Sequence, residues 1–564
     1  MCCAGMPADA EAAMTDAAAT LALLLERVID GAAARPDGET TAAILEEARR
    51  FAEARLAPLA GVADREGCRL EAGRVRTAPG HAAAWAEFAG AGWAGLTAAE
   101  EAGGQGLPLA LATAVQEVFD AANPGFGMLA LNARCAIRLL ERHGEPGMRE
   151  SWVPALASGR WGATICISEP QAGSDVGRIR TRAVEQDDGT WRLSGEKCWI
   201  SYGDHDLAER IGHFVLARIP GAPAGTRGLS LFLVPDRLEG GGRNGVEVLR
   251  IEEKLGLHGS PTCSLSFEGA QAWPIGPAGR GLPTLFAMIQ AMRLGVAAQG
   301  AAAAQAAAAL AEAYARERFQ GGDPALPPVP ITRHAELRRL LLEMRGRAEG
   351  ARLLALQAAA WLDAGDAGDA AAAARAAMLL PLAKSLGAEA GFANADAAIQ
   401  VLGGAGYVRE WPAERLLRDS RVFSIYEGTT AIQALDLLQR RVLGEGGMLV
   451  LRDLLDRLEP LATLSAVVLE TAAALAEAPA RRREAAALPF LRLLGLACVD
   501  GLLRRAGRQA GALADRYEAL SGFHGAGASG QAGLLAEQCR RDDLDAAFDL
   551  VFPEAGDLSG SSRP

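Results

Sequence analysis

Apolar side chains recur at helical spacing over the first part of the chain. From Thr40 they repeat every three or four residues as far as Leu56, and Pro58 is predicted to end this helix. Similar patterns follow at 108–122 and 131–143. We therefore expect a helical domain over residues 40–160. An Ala-rich stretch over 1–39 precedes it and is predicted to be flexible or weakly ordered.

The pattern changes between residues 161 and 283, where prolines and glycines become frequent. Short apolar or alternating runs are separated there by turn residues such as Pro220-Gly221. This texture predicts a small antiparallel β domain over 161–283. Its strands are expected at 213–219, 229–234, 246–251 and 263–267.

Long proline-free stretches rich in Ala, Leu, Glu and Arg follow residue 283 and indicate long helices. We expect a helical bundle over 284–445 and an additional helical domain over 446–564 that ends in a polar tail. The predicted fold class is therefore α+β. A helical domain, a β domain, a helical bundle and an extra helical domain follow one another along the chain.

Composition and charge exclude several classes of protein. The chain has 564 residues, half of them hydrophobic, which is enough for several packed domains. Its 57 basic and 69 acidic residues give a net charge of −12. Such a surface repels phosphate backbones, so we expect no nucleic-acid partner.

The cysteines, the first residues and the apolar runs indicate in which cellular compartment the protein is expected. The nine cysteines include no CxxC pair, which fits neither a disulfide framework nor a zinc site, so we expect no metal and a reducing cytoplasm. The first 20 residues carry acids and no Lys or Arg, unlike a signal or transit peptide. The most apolar long run, 294–311, is mostly Ala and is expected to be a helix buried in protein rather than in a membrane.

Two motifs in the β region offer polar groups beside turns or aromatics. In the segment 168–175, Gly173 permits close backbone approach and Ser174 offers a hydroxyl and an N–H to an anion, although an ordinary capped turn would have the same residues. Trp199 and Ser201 on a predicted strand could contact a planar heterocycle. A core tryptophan is the common alternative.

Three further motifs lie in the helical part. Arg318 stands at a predicted helix end and could bind a phosphate, although a solvated helix face is more usual. The Gly-rich segment 400–407 lacks the preceding strand of a dinucleotide-binding unit, so NAD binding is rejected. Glu427, between Tyr426 and Gly428, could be a general base or part of a helix start.

The order of these motifs along one chain is more specific than any of them alone. Taken together, residues 40–445 resemble the acyl-CoA dehydrogenases. The resemblance extends to larger members with a C-terminal extension, and it implies FAD as cofactor. It places nine residues at that cofactor: Ser168, Gly173, Ser174, Trp199, Ser201, Arg318, Gln400, Gly404 and Thr429. Arg318, Gln400 and Gly404 would reach the FAD of a neighbouring subunit, which implies a homodimer or a tetramer.

The resemblance also assigns the chemistry. Glu427 matches the family's catalytic base, which removes the α proton of an acyl-CoA thioester while the β carbon passes a hydride to the flavin. The backbone N–H of this Glu and a flavin hydroxyl would stabilise the thioester oxygen. In some relatives the base adjoins the residue matching Arg293, but here that neighbour is Met292. The implied substrate contacts are Ser174, Arg293, Tyr426, Glu427 and Gly428.

Substrate and partners follow from the same resemblance. The product would be a trans-2-enoyl-CoA and the electron acceptor an electron-transfer flavoprotein. The acyl group is expected to be short, such as 3-methylmercaptopropionyl. The alternative is a flavin-bound binding or scaffold protein of the same fold without dehydrogenase activity. One departure from the family pattern is Ala431, where Asn or Gln is common, so one cofactor contact is expected to be lost.

Overall fold

The computed structural model describes residues 8–31 and 36–552. It confirms the predicted architecture, with a helical domain, a β domain, a helical bundle and further helices in that order along the chain. The predicted polar tail, from residue 556 onwards, lies outside the described residues. So do residues 1–7 and 32–35 of the predicted N-terminal stretch.

The N-terminal helical domain contains seven helices and a two-stranded hairpin. The helices are α1 (Ala8–Arg27), α2 (Gly38–Phe51), α3 (Ala57–Glu66), α4 (His81–Gly90), α5 (Leu109–Ala122), α6 (Pro124–His143) and α7 (Pro146–Ala157), and the hairpin strands are β1 (Arg69–Glu71) and β2 (Arg74–Arg76).

Two predictions for this domain are corrected. The expected weakly ordered stretch contains α1, because Leu21, Leu24 and Leu25 are buried and the helix packs on α2 and α5. The helix end predicted at Pro58 is also wrong. A π-helical segment, Ala52–Leu56, follows α2, and Pro58 lies in the first turn of α3, where a residue without an N–H loses no hydrogen bond.

The β domain is one seven-stranded sheet that closes on itself, because β6 pairs with β7 as well as with β3 and β4. Its strands are β3 (Trp161–Cys166), β4 (Arg182–Glu185), β5 (Trp191–Ser201), β6 (Arg210–Arg218), β7 (Leu229–Pro235), β8 (Val246–Ile251) and β9 (Thr262–Ile275). The sheet is mostly antiparallel, as predicted. β3 and β6 are parallel, however, since two intervening strands separate them and no hairpin joins them.

Two apolar layers hold this sheet. The inner layer includes Leu193, Phe232 and Phe267. The outer layer joins Phe214 and Leu231 to apolar side chains of α6, α7 and the first turns of the helical bundle. Side chains alternate across a strand, so neighbouring residues supply the two layers. This packing fixes the β domain against α6, which lines the candidate site.

The helical bundle consists of α8 (Gly281–Glu317), α9 (Ala335–Asp366), α10 (Ala370–Leu402), α11 (Ala413–Ser420) and α12 (Thr430–Leu435). α8 and α10 run in the same direction and approach closely at Gly300, where a Cβ would lie 2.2 Å from the carbonyl carbon of Gly387. The Asn394 amide donates to the carbonyl of Ala304 at 3.1 Å, which fixes the register of the two helices.

The extra domain is helical, as predicted, and comprises α13 (Gly447–Leu458), α14 (Ala462–Ala476), α15 (Ala480–Gln509), α16 (Ala514–Arg540) and α17 (Leu544–Val551). A buried polar cluster attaches α16 to the bundle. Glu349 of α9 accepts hydrogen bonds from Arg352, Arg516 and Tyr517, and Arg352 also pairs with Glu117 of α5.

In the part of the chain that the structure describes, two helices are long and apolar enough to cross a membrane by length and composition. They are α8 and α15, and 89% and 72% of their most apolar windows are buried inside the protein. Both therefore have the character of core helices. The run 294–311, predicted to be buried in protein, lies within α8.

Candidate functional site

Glu427 lies in a tight turn between α11 and α12, here called the Glu427 turn (residues 425–430). Its backbone is left-handed at two successive positions, with φ of +54° at Glu427 and +89° at Gly428. A residue other than Gly is strained in this region of backbone conformation. At position 428 a Cβ would also lie 2.7 Å from the Gln433 amide nitrogen. Gly428 is therefore required by both conformation and space.

Buried side chains hold the backbone carbonyls of this turn. The Lys384 ammonium of α10 donates to the Gly428 carbonyl at 2.7 Å, and the Gln433 amide donates to the Glu427 carbonyl at 2.9 Å. Thr429 is the N-cap of α12, where its hydroxyl accepts from the Ile432 N–H. Within residues 8–31 and 36–552, no group accepts a hydrogen bond from the Glu427 N–H.

The charges around Glu427 are arranged asymmetrically. Burial raises the pKa of the Glu427 carboxyl above its usual value, while the Arg293 and Lys384 cations act in the opposite direction. Arg293 lies 3.6 Å from Asp436, and its guanidinium would be 3.8 Å from a Cβ at Gly428. Burial lowers the pKa of Lys384 to about 8. A carboxyl with a raised pKa is a stronger base once ionised.

Tyr426 connects the turn to the helices behind it. Its hydroxyl donates to the side-chain oxygen of Gln299 on α8, and its ring stacks on Phe423. Burial raises the pKa of Tyr426 well above its usual value. Asp120 of α5 is buried close to this pair, and burial raises its pKa well above the usual value too. Burial therefore favours the neutral form of both groups.

A small, partly open cavity of about 40 Å³ lies between α5, α6 and α8. Cys135 lines it and is close enough to Glu427 for the carboxylate to add to the rise that burial causes in the pKa of the thiol. Its walls are apolar, with Leu131 and Leu294 among them. Three polar side chains also line it, Thr113, Gln116 and Arg134.

The second part of the site is the Trp199 surface, formed by Ser168, Trp199 and Ser201. The turn after β3 lies against β5, and the Cys198 N–H donates to the Ser168 carbonyl at 3.0 Å. A β-bulge at Trp199 gives it φ of +63° and leaves its side chain 59% exposed. Asn132 of α6 donates to the Ser201 carbonyl at 3.3 Å, so α6 contacts this surface one turn before Cys135.

A buried ion pair supports the Trp199 surface from below. The Lys197 ammonium lies 2.8 Å from the Glu169 carboxylate and also donates to the Ile167 carbonyl at 2.9 Å. Glu169 in turn accepts from the backbone of Arg180 and Thr181. These bonds fix the turn that carries Ser168 and the loop that follows it.

Gly173 and Ser174 are exposed on this loop, and open space surrounds Gly173. Beyond them an open cleft of about 490 Å³ is lined by Arg178, Arg180, Arg182 and Arg218. Arg218 donates to the carbonyls of Gly177, Ile179, Pro223 and Gly225, and so shapes the cleft. Arg178 pairs with Asp175, whereas Arg180 and Arg182 are exposed.

The structure places the remaining predicted residues elsewhere. Arg318, Gln400 and Gly404 are exposed at the C-terminal ends of α8 and α10. Twenty-five helical positions separate Arg293 from Arg318, which corresponds to roughly 37 Å along α8. One chain therefore brings together the Glu427 turn, Arg293 and the Trp199 surface, while these three residues form a separate exposed group.

Sequence reasoning assigned no role to four residues that the structure places around the turn: Lys384, Gln433, Gln299 and Asp120. A signal existed for Lys384, which stands alone in an apolar stretch of α10 and is one of only three lysines in the chain. The other three residues had no comparable signal, because their proximity depends on how helices pack.

The domains that match known protein families have nearly the same boundaries as the helical domain, the β domain and the helical bundle. The chain matches the N-terminal, middle and C-terminal domains of acyl-CoA dehydrogenase over residues 38–160, 164–270 and 279–443. It is 40% identical to 3-methylmercaptopropionyl-CoA dehydrogenase of Ruegeria pomeroyi, over 72% of this chain and 71% of that protein.

Two further similarities are to a curated relative and to a solved structure. The chain is 38% identical to a broad-specificity linear acyl-CoA dehydrogenase of Mycobacterium tuberculosis, over 64% of this chain and 62% of that protein. It shares its fold, with a TM-score of 0.76 at 21% identity, with an acyl-CoA dehydrogenase of Bacillus anthracis solved with FAD, over 91% of this chain and 90% of that one. The chain therefore belongs to the acyl-CoA dehydrogenase family, whose members are oxidoreductases acting on CH–CH groups.

Proposed function

We propose that the protein is an FAD-dependent acyl-CoA dehydrogenase that converts a short acyl-CoA thioester into the trans-2-enoyl-CoA. The observation that carries this proposal is the Glu427 turn. It presents a carboxyl of raised pKa beside Arg293 and Lys384 and near a small, partly open apolar cavity. A general base needs this combination of proximity to its substrate and an adjusted pKa.

The proton step uses groups of this chain. The Glu427 carboxylate takes the α proton of the thioester, and the C–H electron pair forms the new α,β double bond. As that bond forms, negative charge grows on the thioester oxygen. The N–H of Glu427 is available to donate to this oxygen, because no described residue accepts it.

FAD, when bound, accepts the hydride that leaves the β carbon. The residues present fit such a cofactor. The Trp199 side chain is 59% exposed on a bulge, with Ser168 and Ser201 on either side to donate to a flavin edge. Large exposed aromatic faces are typical of surfaces that become covered. Ser174, Gly173 and Thr429 complete the proposed contacts of this chain with FAD.

We propose that the functional unit is at least a homodimer. Two observations support this: Arg318, Gln400 and Gly404 are exposed at the C-terminal ends of α8 and α10, and Arg318 lies roughly 37 Å along α8 from Arg293. We propose that these three residues serve the cofactor of a neighbouring chain. Two chains would then complete each FAD site. Electron-transfer flavoprotein is the proposed acceptor for the electrons.

The cavity favours a short acyl group. About 40 Å³ accommodates only a few heavy atoms beyond the reacting carbons. Because Thr113, Gln116 and Arg134 line it, the end of the acyl group can carry a hydrogen-bond acceptor. The thioether of 3-methylmercaptopropionyl-CoA, named for the relative from Ruegeria, is such an acceptor, although a weak one.

The arginine-lined cleft suits the anionic end of coenzyme A. It adjoins Ser174, and its Arg180 and Arg182 side chains are exposed and available for phosphate groups. We propose that the nucleotide phosphates of the substrate bind there. The pantetheine arm would run from the cleft to the Glu427 turn, past Ser174.

Anaerobic titration of the FAD-loaded enzyme with a panel of acyl-CoAs tests the proposal. We expect short acyl-CoAs to bleach the visible flavin absorbance, and a long unbranched acyl-CoA to bleach it far less. If no acyl-CoA bleaches the flavin and Glu427→Gln behaves like the parent, the protein is a flavin-bound binding or scaffold protein instead.

A further inference from the structure

Lysine is used sparingly and in a consistent way in this chain. Only three of the 57 basic residues are lysines, Lys197, Lys254 and Lys384. Lys197 and Lys384 are buried and Lys254 is half-buried, and the ammonium groups of Lys197, Lys384 and Lys254 donate to the backbone carbonyls of Ile167, Gly428 and Ser260 respectively. The carbonyl held by Lys384 belongs to the Glu427 turn.

The Glu427 turn has a conformation that needs such support. Two successive positive φ angles occur at Glu427 and Gly428, and the carbonyls of these residues accept from Gln433 of α12 and Lys384 of α10. Positive φ at a residue other than Gly persists only where the surroundings fix it. Lys384 and Gln433 are the two side chains that bind these carbonyls, and both are fully buried.

We propose that Lys384 is a positioning residue for Glu427, which holds the Gly428 carbonyl so that the catalytic carboxyl faces the substrate, and whose charge favours the carboxylate form. This inference rests on the proposed function of Glu427 as the base. Gln433 shares the first task, since its amide donates to the Glu427 carbonyl at 2.9 Å and to the Gly428 carbonyl at 3.4 Å. It is neutral, however, and cannot share the second.

Several charged or titratable groups surround Glu427. Their charges determine how much of the electrostatic effect on Glu427 comes from Lys384. Arg293 on α8 is itself paired with Asp436 and adjoins Arg440 and Arg441, so part of its charge is compensated. Burial raises the pKa of Cys135 on α6, of Asp120 on α5 and of Tyr426, which favours the neutral form of each. Glu389, one turn along α10, is the further acid that acts on Lys384.

The consequence is a defined pH dependence. Since Lys384 favours the ionised form of Glu427, loss of its charge raises the pKa of Glu427, and the rise of kcat with pH moves to higher pH. By linkage, the Glu427 carboxylate must raise the pKa of Lys384 as well. The burial of Lys384 nevertheless lowers its pKa to about 8, so its titration can be followed near neutral pH.

The kinetic test compares three variants of the FAD-loaded enzyme with the parent. For Lys384→Met we expect kcat to fall about 10²-fold, as for a misplaced catalytic group, with the ascending limb of the kcat profile at higher pH and little change in KM. Gln433→Leu should lower kcat without moving that limb. Lys254→Met, which removes the same kind of bond elsewhere, should leave the limb in place. Lys384→Arg retains a charge and should keep the parental limb.

A second measurement needs no change at Lys384 and no turnover. Protein labelled with ¹³C at lysine Cε gives three lysine signals, and the Lys384 signal should titrate with a midpoint of about 8. In Glu427→Gln that midpoint should fall, while the signals of Lys197 and Lys254 stay unchanged. This outcome is expected even if no acyl-CoA bleaches the flavin, so failure of the proposed function would be recognised separately.

The proposal is overturned by either of two results. One is a Lys384→Met enzyme whose kcat and pH profile match those of Lys254→Met. The other is a Lys384 titration midpoint that is the same in the parent and in Glu427→Gln. If Lys384→Met does not fold, the pH profile of Lys384→Arg and the titration of Lys384 in the parent and in Glu427→Gln decide whether the proposal holds.

Discussion

The Glu427 turn and the Trp199 surface are built in opposite ways, although both carry strained backbone. In the turn, buried Lys384 and Gln433 hold the carbonyls from behind, and Tyr426 is bonded to α8. On the Trp199 surface the support is also buried, but the indole itself is 59% exposed. The first region is complete within one chain. The second is shaped to be completed by a molecule that covers it.

The largest expected effect is on the turn. Glu427→Gln removes the base but keeps the size of the side chain, so we expect kcat to fall by about 10²–10⁴-fold, the range typical of a lost general base. FAD content should stay at the parental level, because the Trp199 surface is unchanged. Stopped-flow reduction by a short acyl-CoA measures the first quantity, and flavin absorbance the second. Near-parental reduction would remove Glu427 from the chemistry.

On the Trp199 surface the expected effect is smaller and concerns binding. Trp199→Ala should weaken FAD binding about tenfold, since one aromatic contact contributes on the order of 1 kcal/mol beyond its area. Once saturated with FAD, the variant should retain most of its kcat. Trp273→Ala is the matched control, because Trp273 is an exposed tryptophan on β9 with no proposed contact. Equal FAD affinity in both variants would contradict the assignment.

A mixing experiment tests whether the separate exposed group serves a neighbouring chain. Arg318→Ala is expected to lower FAD affinity several-fold, in line with one lost charge-assisted hydrogen bond. Mixed dimers of Arg318→Ala and Glu427→Gln chains then contain one intact site and one doubly altered site. If the co-assembled mixture is more active than the average of the two variant homodimers, sites shared between chains are supported. Activity equal to that average supports sites formed within one chain.

The smallest expected effect is at the arginine-lined cleft. Replacing both Arg180 and Arg182 by Ala should raise KM for an acyl-CoA about fivefold, because exposed charge pairs contribute little each and are screened by salt. The same thioester on pantetheine, which lacks the nucleotide phosphates, should show no change. Arg541→Ala, at an exposed arginine of the extra domain, is the control. An equal rise in KM for both thioesters would place the coenzyme elsewhere.

The sequence allowed much of this comparison to be anticipated, but unevenly. The order of domains followed from where proline and glycine cluster, and α1 was missed because an Ala-rich stretch gave no sign of its packing partners. Glu427 and Trp199 were found because each lies in a local motif. Their supports were not, since the contact between Lys384 and Gly428 joins residues 44 positions apart and depends on how α10 packs behind the turn.

The bulge at Trp199 illustrates the same limit. A strand was expected there, with the indole as either a core or a cofactor-facing side chain, and periodicity alone could not decide between them. The register shift between Lys197 and Ile200 turns the indole outward, while Lys197 stays buried against Glu169. Such a shift depends on how β5 pairs with β9, and no residue type in the segment predicts it.

Exchange of the α hydrogens tests the central claim most directly. The FAD-loaded enzyme is incubated without oxygen in deuterated water with a short acyl-CoA, and the recovered thioester is analysed by mass spectrometry. The account predicts deuterium at the α carbon with the parent enzyme and almost none with Glu427→Gln. Equal incorporation by the two enzymes would contradict it, because a group other than Glu427 would then be moving the proton.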